Sequence, residues 1–326
     1  MQIQSGKPGR LPPLDAFVTK DWDLGGEHPS VILRDVASRP RARGHVIVFA
    51  NEKGGVGKST LAFHTAISLC DAGKKVAVID LDHGQATLSG AMINREATCR
   101  LLKIGLPTPR WAVFTLSGAA CLSQEIARIG SDCEYVIIDA AGSDTPIGRR
   151  AIAMADTLVT PVGMSFADLD LLGQFDALSM KLRRQGRFAR LVAGLAQARE
   201  AYGRPEFDWV VIPNRSRINP TRNEVQITKA LKRMAKLAGF RLARGIGERV
   251  AYRELFLYGL THFDLGRIPN LARSHAGAKQ EIVALLADLR LPISDEEQVS
   301  LFADLPSANL WIEQRPLAMR EQVAAA

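Results

Sequence analysis

The sequence predicts an α/β fold, a doubly wound and mostly parallel sheet flanked by helices. Three observations carry that expectation. Short apolar runs, Val46 to Phe49, Lys75 to Asp80 and Glu134 to Asp139, have the length and composition of buried strands. Between the first two runs lies an amphipathic stretch that opens at Ser59 and stops near Gly73. Strand, crossover helix and strand in about 35 residues make a right-handed βαβ unit, which requires parallel strands.

The first strand breaks into Asn51-Glu52-Lys53-Gly54-Gly55-Val56-Gly57-Lys58-Ser59-Thr60. Glycines there let backbone N–H groups turn inward around phosphate oxygens, and the following helix offers its N-terminus to the same anion. Lys58 is placed to reach the β- and γ-phosphates, and the Ser59 hydroxyl to ligate Mg²⁺. Gly54, Gly55, Gly57, Lys58, Ser59 and Thr60 are the expected ATP-binding residues. The strict P-loop spacing nevertheless fails, because Glu52 stands where its first glycine belongs and a second lysine, Lys53, precedes the Gly-Gly pair.

Lys75 to Asp80 ends in Asp80-Leu81-Asp82, and Glu134 to Asp139 ends in an acid followed by Ala140-Ala141-Gly142-Ser143-Asp144. Ligands of such sheets sit at the carboxyl ends of the strands, so these acids are expected beside the phosphates. Residues 83–130 are less regular; Trp111 and the spacing of Leu122, Ile126 and Ile129 suggest surface helices over the sheet. Asp156 to Val162 and Asp208 to Pro213 read as two more strands, with Ser165 placed to cap a helix.

Arg222 to Ala238 reads as an amphipathic helix. Ile227, Ala230, Leu231, Met234 and Leu237 trace one face, and Arg222, Lys229, Arg233 and Lys236 trace the other, with Glu224 the only acid. A face so short of acids points to phosphate contact without base reading, hence salt-sensitive, non-specific DNA binding. The wider charge pattern agrees. Lys181 to Arg249 holds 17 Lys and Arg against 5 Asp and Glu, while the rest of the chain holds 25 against 29, giving +8 overall. A last amphipathic helix is expected over 272–289.

At 326 residues the chain has ample material for a core, and 47% hydrophobic with 23% charged residues is ordinary globular composition. No apolar run approaches the ~20 residues of a membrane span, and no signal-peptide pattern opens the chain. Cys70, Cys99, Cys121 and Cys133 show no C-x-x-C pairing. Free thiols and a cytoplasmic setting are the expectation, and an iron–sulfur site is disfavoured. Three segments follow: a flexible or loosely docked extension over 1–44 with several prolines, an ATPase domain over 45–290, and a polar tail over 291–326. That tail has one apolar patch, Leu310-Trp311-Ile312, too poor in lysine for a membrane anchor.

The Lys53-Gly-Gly-x-Gly-Lys58-Ser59 form resembles the deviant Walker A motif of the ParA/MinD family of P-loop ATPases. Longer strings resemble the MipZ branch of it: Asn51 to Gly55, Val76 to Asp82, Ser165-Phe166 with Asp168 to Asp170, Asp208 to Val211, and Val250 to Phe256 followed by Tyr258 to Thr261. The resemblance implies ATP-dependent face-to-face dimers in which Lys53 reaches the partner's phosphates and Gly54 permits close approach. It also implies that Asp82 orients the attacking water, Asp80 supports the Mg²⁺ shell, Asp139 holds Mg²⁺ through a water, and Asn214 contacts adenine. Relatives commonly carry Thr-Pro where Ala140-Ala141 stands. Implied further are slow ATP hydrolysis, nucleoid association, a ParB-like partner, and inhibition of the division protein FtsZ. A ParA-type partition ATPase without effect on FtsZ is the alternative; a MinD-like membrane protein and an ATP-dependent ligase fit less well.

Overall fold

The computed structural model describes residues 24–292 except 117, 177–181, 218 and 269–275. Its elements in chain order are α1 (Pro29–Ala37), β1 (His45–Phe49), α2 (Lys58–Asp71), β2 (Val76–Asp80), α3 (Thr87–Leu102), β3 (Arg110–Val113) and α4 (Ala119–Gly130). Then follow β4 (Tyr135–Asp139), α5 (Pro146–Met154), β5 (Thr157–Gly163), α6 (Phe166–Leu169), β6 (Gly173–Phe175), β7 (Leu182–Gln185) and α7 (Arg187–Ala201). The last are β8 (Asp208–Ser216), α8 (Arg222–Ala238), β9 (Arg241–Leu242), β10 (Ile246–Gly247), α9 (Val250–Leu257) and α10 (Ala276–Leu289).

Eight strands form one sheet in the order β10-β8-β5-β1-β4-β2-β3, with β9 also on β8. Every described pairing in it is parallel. β6 and β7 make a separate antiparallel hairpin. The β1–β4 register sets Phe49 opposite Asp139, and the β2–β4 register sets Asp80 opposite Asp139, so three chain segments deliver their polar ends to one edge. Alternate strand residues feed two cores. Val46, Val48, Val136 and Ile138 pack under α1, α4, α5 and α7. Ile47, Phe49, Tyr135 and Ile137 pack under α2 and α10. Central strands buried on both faces explain why their sequences read as unbroken apolar runs.

Two expectations need correction. Residues 24–44 are not a loose extension. Pro29 sits in the first turn of α1, the His28 side chain accepts from Ser30 N, and Ile32, Leu33 and Val36 are buried against the sheet-covering helices. Arg150 ties this segment down through Glu27 and Asp35, and Arg149 donates to the carbonyls of Gly25 and Glu27. Trp111 lies in the edge strand β3, not on a surface helix, and its indole N–H donates to Glu96 at 2.8 Å. Phe17, Trp22 and the patch around Trp311 lie outside the described residues.

Candidate nucleotide-binding site

The loop between β1 and α2 is held open by its own polar residues. The Asn51 amide donates to Pro161 O at 2.7 Å, and its side-chain oxygen accepts from Lys53 N at 2.9 Å. Gly55 and Gly57 adopt φ of +73° and +95°, a region that favours glycine. Gly57 is the N-cap of α2 and supplies no side chain, so the first N–H groups of that helix face the loop without a side-chain cap. Lys58 is buried and donates to Lys53 O at 3.0 Å, curling back across the loop it follows. Burial holds its ammonium below the ordinary lysine range, while Asp139 and Asp82 pull it the other way.

The β4 loop closes on this loop through glycine. A Cβ on Gly142 would stand 2.9 Å from Gly54 Cα and 3.4 Å from Lys58 Nζ. Only a residue without a side chain allows that approach.

The three strand-end acids occupy different states. Both Asp80 oxygens accept backbone N–H groups, from Asp82 at 2.9 Å and Ser89 at 2.9 Å, which fixes the turn into α3 and presents Asp82. Asp82 is half-buried and accepts from Gln85 N at 3.2 Å. Asp139 is buried, and neither of its oxygens has a hydrogen-bond partner. Burial pushes its carboxyl up to about 8, with neighbouring Asp80 adding to the rise and the Ser59 hydroxyl and Lys58 opposing it. An unpartnered buried carboxylate beside a hydroxyl at a helix N-terminus fits a hydrated Mg²⁺ carried by phosphates. Ser59 would hold that ion directly and Asp139 through its water, with Asp80 fixing the neighbouring turn.

Lys53 is half-buried and ion-paired within its own chain to Asp168 of α6, whose other oxygen accepts the Ser165 hydroxyl at 2.6 Å. Lys53, Gly54, Gly55, Ser165 and Asp168 line a cavity of about 400 Å³ over the loop. A second cavity of about 60 Å³ is lined by Gly57, Thr60, His64, Asn214 and Tyr252. The Asn214 amide donates to Val56 O at 2.7 Å and lies where a Cβ on Gly57 would be, 2.1 Å away, so Asn214 lines that cavity and also braces the loop.

The sequence reading passed over several contributors. Glu52 reaches Arg187 at 3.9 Å, and Arg187 and Arg149 both donate to Asp144. This chain of charges links the loop to the Gly142 segment and to the residues before α1. His64 is fully buried with both ring nitrogens unpartnered, packed edge-on against Tyr252 at 5.1 Å. Its place in α2 is a helical repeat from Thr60, the one signal that it faces the same cavity.

α8 runs Arg222–Ala238 as expected, with Ile227, Ala230, Leu231 and Met234 buried and Arg222, Lys229, Arg233 and Lys236 exposed. Leu237 departs from the expected apolar face and is 63% exposed. Glu224, the helix's sole acid, is consumed in a capping box with Thr221. No helix among the described residues is long and apolar enough to cross a membrane.

Comparison with known proteins agrees with this geometry. The chain is 32% identical over 212 residues to the chromosome-partitioning ATPase Soj of Thermus thermophilus, covering 55% of this chain and 84% of Soj. It is 28% identical over 165 residues to the septum site-determining protein MinD of Helicobacter pylori, covering 43% of this chain and 62% of MinD. Two solved structures share the fold. A plasmid partition protein of Borrelia burgdorferi bound to AMPPNP has a TM-score of 0.53 at 16% identity, covering 77% of this chain and all of the other. Apo McdA of Cyanothece has a TM-score of 0.51 at 20% identity, covering 74% and 100%. A family model described as ATPase MipZ matches residues 45–293, and the chain belongs to that family of ParA/MinD-type ATPases.

Proposed function

We propose that this ATPase is a dimerising switch that binds nucleoid DNA without sequence preference, takes a ParB-like protein as partner and restrains FtsZ assembly. The MipZ family match over the whole nucleotide-binding region carries this reading. ATP with Mg²⁺ is its substrate, and phosphoryl transfer of this kind needs chiefly positioning and charge compensation. Lys58 and the N-terminus of α2 bind the phosphates. Asp82, presented by the Asp80 turn, orients the attacking water, and Asn214 holds the base end. Lys53 leaves Asp168 to meet the phosphates of a second copy, removing charge that would otherwise repel two facing sites.

The acid-poor outer face of α8 supports the DNA contact. A face of lysines and arginines neutralises phosphates and releases counterions, so affinity should fall steeply with salt. The partition reading stays as the second, because Soj is named for chromosome partitioning.

The deciding experiment is FtsZ polymer sedimentation with Asp82→Ala protein, with and without ATP. ATP-dependent loss of polymer is expected. Unchanged polymer together with retained DNA binding favours the partition reading.

A further inference from the structure

We propose that Arg149 is a positioning residue for ATP hydrolysis and that the backbone of Gly25 and Glu27, ahead of the family-matching region, holds it there. The role rests on the loop of residues 140–144 facing the terminal phosphate, and is independent of the DNA and FtsZ readings. That loop closes over Gly54 and Lys58, whose ammonium meets the β- and γ-phosphates, so a triphosphate feels its position most.

Arg149 lies in α5 one turn beyond the Thr145 cap and is 5% exposed. Its Nε donates to Asp144 Oδ1 at 2.6 Å and its Nη2 to Asp144 Oδ2, a two-pronged grip that lysine cannot make. Nη1 turns the other way and donates to the carbonyls of Gly25 and Glu27, each at 3.1 Å. One planar guanidinium therefore joins the phosphate-facing loop to the chain before α1. Neutralising Asp144 does not require it, because Arg187 already donates to the same carboxylate at 2.6 Å. What Arg149 adds is a fixed direction, set by backbone acceptors that cannot rotate away.

Those carbonyls are themselves firmly seated. Leu24 is buried in the same core as Ile32 and Leu33 of α1, and Arg150 pairs with both Glu27 and Asp35. Gly25 and Gly26 take φ of +69° and +70°, which bends the chain around the guanidinium in a region that favours glycine. A Cβ on Gly26 would stand 2.9 Å from Arg149 Nη1 and 3.1 Å from its Cζ. The guanidinium cannot yield to it without giving up Asp144 or a carbonyl. Since the family match begins at residue 45, the contact ties a segment outside it to a loop inside it.

Steady-state hydrolysis and equilibrium binding of ADP and a fluorescent ATP analogue test this role on the full chain. The variants are Gly26→Ala, Arg149→Lys, Arg149→Met and Gly142→Ala, with melting temperature as the folding control. Gly26→Ala should lower kcat by at least ~threefold and Arg149→Met by at least ~tenfold, while ADP affinity holds. Arg149→Lys keeps the charge but not the shared grip, and should recover only part of the loss. Adding Gly26→Ala to Arg149→Met should cost nothing further, because both act through one guanidinium. Wild-type kcat in Arg149→Met, alongside an impaired Gly142→Ala, would overturn the proposal and spare the loop reading. Equal loss of ATP-analogue and ADP binding as the protein melts earlier would overturn it too, since that is what a merely structural role predicts. If Gly142→Ala binds the ATP analogue as the wild type does, the loop does not face the terminal phosphate, and the proposal falls with that reading.

Discussion

Gly142 and Gly54 meet so closely that one methyl group tests the geometry of the site. The nearest atoms to a Cβ on Gly142 are backbone atoms of Gly54, which cannot swing aside. Gly142→Ala is expected to weaken binding of a fluorescent ATP analogue at least ~tenfold, about 1.4 kcal/mol, with the melting temperature nearly unchanged. Unaltered affinity would remove the contact from the binding mechanism. His64 supports a pH prediction. Burial depresses its imidazole to about 3, so the folded state keeps it neutral where the unfolded chain, near 6.5, takes a proton. Above pH 6.5 neither state is favoured; as pH falls from 6.5 towards 3 the unfolded state gains. At pH 5 the loss is ~2 kcal/mol, and His64→Phe should flatten the thermal-melting profile across that window. Lys58, Asp82 and Asp139 were legible from sequence because their spacing after strands is itself the signal. The pairing of Lys53 with Asp168 was not, since it depends on how α6 approaches across the sheet.

At the scale of elements, α1 and α8 make opposite points. α8 was readable to the residue at both ends from its apolar and basic faces, and the structure adds a Thr221 cap and a Gly239 stop at those ends. α1 was hidden by its neighbours: nine residues flanked by prolines carry too short a period to stand out, and burial against α5 and α7 stabilises the helix. Leu33→Ala is expected to cost ~2–5 kcal/mol in chemical denaturation, and a cost under about 0.5 would make the segment dispensable. Lys229→Glu with Arg233→Glu on α8 should lower DNA affinity and flatten its salt dependence without altering ATP binding. The strings from Val250 to Thr261 have a structural reason. Arg95 of α3, fully buried, makes a two-pronged pair with Asp264 and donates to the Gly259 carbonyl at 2.9 Å. Asp264→Asn should therefore destabilise the fold by ~3–5 kcal/mol, because it leaves a buried guanidinium short of charge.

The whole molecule gathers its phosphate chemistry at the carboxyl ends of the strands, and the segment before α1 reaches the same edge through Arg149. Fold class and ligand were legible from one sequence because they follow from local period and motif, whereas the placing of β4 between β1 and β2 was not. The edge strands β3, β9 and β10 were not, being only two to four residues long. The ion pair between Lys53 and Asp168 has a consequence for how two copies would meet. A lysine that starts out bound at home gives up one anion to gain another, so subunit closure is an exchange and not a fresh attraction. Such an exchange yields little when the incoming partner carries the same charge as the carboxylate left behind, and more when it is a fully charged triphosphate. In the proposed dimer the home carboxylate would set a threshold, and the number of phosphates on the nucleotide would decide whether it is crossed.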